Sequence, residues 1–466
     1  MGNKHFQQES HNDGHFHRAS SNDSFFQQAG SRHQQPDKDD KRFQQAYSKH
    51  MAGNKSSARM LYERILKQNP RHVDARYMLG TLLAESGVLE LGLMHLKSAA
   101  TQMRSSPMIL TNLGHVHLKL GQLDQARSCY QNALKLDPNA PQTLFNLGDI
   151  SQRQGNLAEA VNYIEQSLDL KPDFLAAYFK LGRIHRELNH PELSAACFMK
   201  LLEYAPDSID ALFELGNIYA AYQHLENAAI YFKRILEIDP DNESARHAVS
   251  ALSGETTATA PLHHVEHLFD ELSGSFESHL KQLGYRVPEM LKRMVLALES
   301  DRVHFDRAVD MGCGTGLSGV EFKPMVTHLT GLDISQKMLD RAREKGIYDE
   351  LEKSDICQYL ASSQQHYDIF IATDVFVYLG DLSSVFSAVS DLARQNSYFV
   401  FSTEGESERD YILRPTGRYA HSRSYIEKLA NEHGFSLVAS QSTDLRMEGQ
   451  KPVKGDLYAL KFNISG

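Results

Sequence analysis

Ala308-Val309-Asp310-Met311-Gly312-Cys313-Gly314-Thr315-Gly316 is the stretch from which the rest of the chain is best read. A short apolar run from Phe305 reaches an aspartate, turns through three glycines and enters residues from Leu317 onward that can start a helix. Glycine lets a strand bend sharply into a helix, and lets a ligand lie against bare backbone N–H groups. The turn alone is ambiguous, because Gly314-x-Gly316-x-x-Gly319 also fits a dinucleotide fingerprint. The residues downstream narrow the choice. A second apolar run, His328 to Gly331, ends in Asp333, 21 residues after Gly312, and Asp355 comes after another 22. Tyr367-Asp368-Ile369-Phe370-Ile371-Ala372-Thr373-Asp374 then reads as a nearly continuous apolar strand with a polar end.

This ordered series, Asp310, Asp333, Asp355 and Asp374, resembles the class I S-adenosylmethionine (SAM)-dependent methyltransferases, whose first motif is a D-x-G-x-G-x-G turn. The resemblance covers about 261–462 and implies a Rossmann-like α/β domain with a seven-stranded, mostly parallel sheet and a terminal antiparallel strand. It also implies SAM as cofactor. Gly312, Gly314 and Gly316 would let backbone approach the methionine part, which Asp310 would orient. Asp333, followed by Ile334, would accept the ribose hydroxyls, and Asp355 with Ile356 would meet the adenine. Thr373 and Asp374 would sit where cofactor meets acceptor. Asp333 also reads as an N-cap ahead of Ser335-Gln336-Lys337, and Asp355 follows a segment, residues 348–354, in which a third strand is hard to see.

At 466 residues two or more domains are expected, and 41% hydrophobic residues suit globular ones. No apolar run approaches the roughly 18 residues a membrane span needs, and residues 1–6 lack a signal-peptide core. The four cysteines share no C-x-x-C spacing, which argues for a reducing compartment and against zinc. The expectation is a cytoplasmic protein without a metal site. The net charge of −10 hides a lean toward basic over 39–140 and toward acidic over 141–242 and 261–466. No part is basic enough to suggest nucleic acid.

Residues 1–38 are rich in Gln, His, Ser and Asn and are expected to be disordered; His11, His15 and His17 read as a polar tail before a metal site. From residue 39 a 34-residue period takes over: Pro70, Pro138, Pro172, Pro206 and Pro240 share one register, Gly80, Gly114, Gly148, Gly182 and Gly216 another. Ala58, Ala126, Ala160 and Ala228 share a third. The pattern resembles six tetratricopeptide repeats over 39–242 with a capping helix to 252, an α-solenoid of helix pairs that bury their stripes by stacking. By that resemblance a concave groove is lined by Tyr77, Phe145, Phe179, Phe213, Asn112 and Asn146. It would suit an extended protein or peptide segment, rings giving contact area and amides pairing with backbone. The rings packing into the groove wall is the alternative.

Residues 253–260 are small and polar and read as a linker. From Pro261 to residue 304 an amphipathic spacing predicts helices; the segment resembles the N-terminal cover of related methyltransferases, which implies Phe269, Phe276, Tyr285 and Arg286 as residues facing cofactor or acceptor, the two Phe packing in the core being the alternative. His421, Tyr378 and Tyr419 are expected in loops at the ligand-binding end of the sheet, candidates to contact acceptor, with His421 the candidate base. Strands are expected at 435–439 and 456–462, joined by a loop. The reading is a SAM-dependent methyltransferase whose repeats recruit a protein or peptide. Alternatives are a small-molecule O- or C-methyltransferase with repeats for assembly, and a repeat-based adaptor with a degenerate SAM-sensing domain.

Overall fold

The computed structural model describes residues 38–102, 106–299, 304–448 and 451–463. The His-rich tail, with His11, His15 and His17, lies outside them. The described chain forms two compact units that meet between Ala211 and Leu212.

The first unit is a run of helix pairs: α1 (Lys38–Met51) with α2 (Lys55–Gln68), α3 (Val73–Glu85) with α4 (Leu89–Gln102), α5 (Pro107–Lys119) with α6 (Leu123–Leu136), α7 (Pro141–Arg153) with α8 (Leu157–Leu170), and α9 (Leu175–Glu187) with α10 (Pro191–Tyr204). The repeating residues have plain mechanical jobs. A Cβ on Gly114 would stand 2.6 Å from the Tyr130 ring, and one on Gly182 2.7 Å from Phe198. Only a bare backbone lets the second helix of the pair seat its large side chain. Ala58, Ala126 and Ala160 are fully buried at the same contacts. Pro70, Pro138, Pro172, Pro206 and Pro240 each fall two residues after the last residue of a second helix, where their missing N–H interrupts nothing.

α11 (Ile209–Ala221) crosses the boundary, and the second unit continues with α12 (Leu225–Ile238), α13 (Glu243–Ser253), α14 (Leu262–Leu272), α15 (Phe276–Gln282) and α16 (Val287–Leu298). The α/β part comes next as β1 (Phe305–Met311), α17 (Leu317–Phe322), β2 (Val326–Asp333), α18 (Gln336–Glu344), β3 (Glu350–Lys353), α19 (Ile356–Ser362), β4 (Tyr367–Ala372), α20 (Ser383–Leu392), β5 (Ala393–Glu406), β6 (Tyr411–Leu413), β7 (Tyr419–Ser422), α21 (Arg423–Glu432), β8 (Phe435–Glu448) and β9 (Lys451–Phe462). β3-β2-β1-β4-β5 are parallel neighbours; β9 pairs antiparallel with β5, and β8 with β9. These seven strands are the expected sheet, and the small hairpin β6–β7, attached to the end of β5, stands where a loop was expected.

Successive side chains leave a strand on opposite faces, and here they sort into two cores. Val309, Phe370, Ala372, Phe399 and Phe401 meet α20 and α21 on one face. Ala308, Ile369, Ile371, Tyr398 and Val400 meet α16 on the other. Burial on both faces explains why these parallel strands read as continuous apolar runs.

Residues 254–260 do not hang free as a linker. The Ala258 carbonyl accepts the N–H groups of both Gly380 and Asp381 at 2.9 Å, Ala260 N–H donates to the Tyr378 carbonyl at 3.0 Å, and Thr259 bridges Leu379. Thr257 and Tyr419 share a hydroxyl hydrogen bond of 2.5 Å. Ahead of this strap, α13 packs Ala251 into a cluster with Val265, Leu413 and Tyr419, and His247 Nε2 donates to the Gly417 carbonyl at 3.0 Å. Low hydrophobicity suggested a tether; backbone pairing, which composition does not report, makes it part of the domain.

Candidate active site

The glycine turn leaves the end of β1 with Gly312, Gly314 and Gly316 all at positive φ (72°, 54° and 93°), the left-handed region that side chains disfavour. Space forbids a side chain too: a Cβ on Gly312 would come within 2.5 Å of Val375. The Cys313 N–H donates to the Leu332 carbonyl at 2.7 Å, so the turn is tied to β2. Beneath it lies Tyr348, whose hydroxyl donates to Asp310 Oδ2 at 2.6 Å. Gly319 and Gly331 make room for that ring, since a Cβ on either would approach it within 2.8 Å. Asp310 is fully buried, and its Oδ1 has no hydrogen-bond partner among the described residues. Burial, only partly offset by Tyr348, lifts its carboxyl to about 7.

Asp333 ends β2 and fixes the turn from the other side. Its Oδ2 accepts the Gly314 N–H and its Oδ1 the Ser335 N–H, each at 2.8 Å. Burial outweighs these bonds and lifts the carboxyl to about 6. The cap of α18 is Ser335, which accepts the Met338 N–H and itself donates to Asp270 Oδ1 at 2.6 Å. Asp355 is the residue that caps a helix, accepting the Gln358 N–H at 3.0 Å at the start of α19. Thr373 shares a 2.6 Å hydroxyl bond with Ser318.

One cleft takes in most of these groups. Gly312, Gly314, Asp333, Ile334, Asp355, Ile356, Thr373 and Asp374 line it, together with Phe269, Phe276, Tyr285 and Tyr378 from the cover and the β4 loop. It holds about 1330 Å³ of space, its open mouth included. Phe276 lies over Gly314, 3.6 Å from where a Cβ would be, and Phe269 makes edge contacts with Phe276 and Tyr378. Ion pairs Lys353–Glu266 (2.7 Å) and Lys345–Glu277 (2.8 Å) tie α14 to β3 and α15 to the end of α18. Asp310 and Gly316, expected at the cofactor, are not among the residues that line the cleft. Arg286 is corrected: it points outward, paired with Glu289 at 2.9 Å and away from the lining.

At the far end of the cleft stands Asp374, a non-glycine residue at φ 58°. Its N–H donates to Ser402 Oγ at 2.9 Å, and its Oδ1 accepts Arg446 Nη1 at 2.7 Å. Arg446 Nη2 reaches Glu404 Oε1 at 2.5 Å, and both Arg446 and Glu404 are buried. Burial works against the guanidinium charge, but these carboxylates outweigh it and raise its pKa. Arg418 joins the lining and pairs with Glu448 at 3.3 Å. Among the described residues, no group of three His, Cys, Asp or Glu side chains could hold a metal ion.

His421 and Tyr419 are corrected. They sit in β7, not in loops; both are completely buried and neither lines the cleft. His421 Nε2 donates to the Gly380 carbonyl at 3.0 Å, and burial pushes its pKa down to about 4, so it is a neutral structural donor at pH 7. Tyr419 bonds Thr257. The groove residues divide as well. Tyr77, Asn112 and Asn146 are buried between helices: Asn112 Nδ2 donates to Tyr77 Oη (2.8 Å) and Thr81 Oγ1 (3.2 Å), and Asn146 Nδ2 meets His115 Nε2 at 2.8 Å. Phe145, Phe179 and Phe213 are half-buried and lean on Phe174, Phe198 and Phe232.

Sequence reasoning missed Tyr348, Asp270, Arg418 and Arg446. The glycines at 319 and 331 were a readable sign that something bulky approaches; nothing in 440–455 announced that a polar stretch returns to the cleft.

Tetratricopeptide-repeat family models match residues 105–173 and, in a second form, 44–100 and 179–243; a methyltransferase-domain model matches 309–399. A ubiquinone biosynthesis O-methyltransferase of Bordetella pertussis is 25% identical over 173 residues, 34% of this chain and 71% of that protein. The enzyme of the same name from Pseudoalteromonas translucida is 27% identical over 118 residues, 24% of this chain and 50% of its own length. Among solved structures, PilW, described as a type IV pilus biogenesis factor, aligns with TM-score 0.41 and 20% identity over 45% of this chain and 96% of its own. With the helix pairs and the glycine turn in view, the chain carries tetratricopeptide repeats followed by a methyltransferase domain.

Proposed function

We propose that the methyl donor is SAM and that the acceptor is a small, largely apolar molecule methylated on oxygen. The donor half rests on one observation: a bare-backbone turn whose Gly314 N–H is already bonded to Asp333, with the Asp310 carboxylate beneath it carrying an oxygen that is unpartnered among the described residues. Gly312 and Gly314 would take the methionine part of the donor, Asp333 the ribose hydroxyls, and Ser354, Asp355 and Ile356 the adenine. When bound, the donor supplies a methyl group already activated on sulfonium sulfur. The chain's residues then have to align the acceptor and exclude water. Phe269, Phe276 and the strap at Thr259 and Ala260 close the cleft for that purpose.

The acceptor half is supported by the lining. Leu262, Val265, Leu272, Leu280, Leu283, Val375 and Leu379 make the cleft mostly apolar, the kind of surface that buries a small organic molecule. The relatives above are named O-methyltransferases. Burial of Tyr77, Asn112 and Asn146 removes a ring and two amides that a peptide in the repeats would have met, and we assign the repeats to protein–protein assembly. A protein acceptor held by the repeats is the second reading, favoured by the half-exposed rings of Phe145, Phe179 and Phe213.

Purified protein incubated with methyl-labelled SAM and cell extract, and then fractionated, tests both halves. Label in small molecules is expected. Label confined to proteins supports the second reading, and no transfer with no SAM binding removes the donor assignment.

A further inference from the structure

We propose that Arg446 is a positioning residue: delivered by the β8–β9 hairpin, it holds Asp374 in its left-handed conformation so that the free carboxylate oxygen meets the acceptor. The inference rests on the methyltransferase reading and adds a residue to it.

The hairpin's local structure carries the first part. β8 and β9 keep pairing far beyond the apolar segments, from Phe435 opposite Phe462 to Glu448 opposite Lys451. Their register shifts between Asp444 and Arg446. A bulge of this kind turns a side chain that regular alternation would send outward. Leu445 and Arg446, adjacent in sequence, are accordingly both buried. Close approach is built in at Gly455, where a Cβ would lie 2.2 Å from the Thr403 carbonyl and 2.5 Å from Leu445.

Geometry at the tip carries the second part. Arg446 is fixed by Glu404 behind it, so its other nitrogen is presented to Asp374 at a set position. Asp374 needs such a hold. A non-glycine residue at φ 58° is strained and persists only where its surroundings over-determine it. Ser402 fixes the backbone N–H and Arg446 fixes Oδ1. Oδ2 forms no hydrogen bond among the described residues, and Asp374 lines the cleft. An oxygen so placed accepts a hydrogen bond from the acceptor's O–H and aims its lone pair. A guanidinium can hold two carboxylates at once in a planar fork; a lysine ammonium is a point charge and holds them without that geometry.

The test uses the full chain, labelled SAM and a dilution series of cell extract as acceptor source, giving a half-saturating extract level and a plateau rate. For R446K, turnover at low extract should fall roughly tenfold to a hundredfold, the loss expected when a reacting group is misplaced by about 1 Å. SAM affinity, measured by calorimetry, should stay near the wild-type value. For R446A, free guanidinium chloride at tens of millimolar should restore part of the lost rate. Should R446A not fold, R446K alone decides. Wild-type half-saturation and plateau in R446K would overturn the proposal, as would SAM affinity falling in step with turnover. Failure of the wild-type protein to bind SAM is a different outcome: it removes the methyltransferase reading itself.

Discussion

Replacing Asp333 by alanine separates the two tasks this carboxylate carries. In the free protein it accepts the N–H groups of Gly314 and Ser335. Leaving both donors unpaired costs about 1–3 kcal/mol each. Against that, the substitution removes a buried carboxylate whose pKa stands near 6 instead of 3.8; about two pKa units correspond to about 3 kcal/mol of relief at pH 7 and above. The two effects oppose each other, so D333A should fold, with a stability change of no more than about 3 kcal/mol. Donor binding has no such offset. Losing the hydrogen bonds of two ribose hydroxyls to a charged acceptor should cost about 2–3 kcal/mol, or roughly 30–150-fold in SAM affinity. Calorimetry at pH 8, where the carboxylate is ionised, paired with a thermal melt, reads both quantities. A folded D333A that binds SAM within about twofold of wild type would refute the ribose assignment and leave Asp333 as a strut for the turn.

Other perturbations draw on the same geometry. Because the folded Asp333 and Asp310 carboxyls stand near 6 and 7, SAM affinity should climb as pH rises through 6 and 7 and level off above, and D333N should remove the lower part of that rise. The stability sign is the reverse: a raised acid pKa stabilises fully below the unfolded value near 4, and that contribution is lost as pH rises toward 6. D310N should keep the Tyr348 hydrogen bond while removing a buried charge, raising the melting temperature at pH 8 yet weakening SAM binding; a lower melting temperature would contradict the burial argument. N112A removes the amide donor to the buried Tyr77 and Thr81 hydroxyls and should cost about 1–3 kcal/mol in urea unfolding of the full chain, with no change in SAM affinity. Removing residues 39–252 should destabilise what remains, because Leu413 and Tyr419 lose Ala251 and Gly417 loses His247; a melt matching the intact methyltransferase part would show that the strap alone suffices.

Where the sequence was legible, it was so because one physical demand dominated. The helix pairs announce themselves through Gly114 and Gly182, at which a single interhelical contact tolerates no side chain. The central strands are legible because burial on both faces forces unbroken apolar runs such as Ile369 to Ala372. β3 was hard to see because it is a short, mostly exposed edge strand in which only Leu351 is apolar, Glu350 to Lys353. The outer parts of β8 and β9 were missed because residues such as Ser442 and Thr443 need only pair their backbone. His421 and Tyr419 were misplaced because a polar residue before a helix looks like a loop, while backbone carbonyls at Gly380 and a hydroxyl at Thr257 satisfy them inside the fold. Asn112 and Asn146 lie at helical spacing that fits either a groove or an interhelical seam, and only their partners distinguish the two.

The most direct measurement is hydrogen exchange of the full chain with and without saturating SAM. Slowed exchange is expected at Gly312, Gly314 and Ser335 and across α14 and α15, with the helix pairs before residue 211 unchanged. Protection confined to the helix pairs, or none at millimolar SAM, would contradict it.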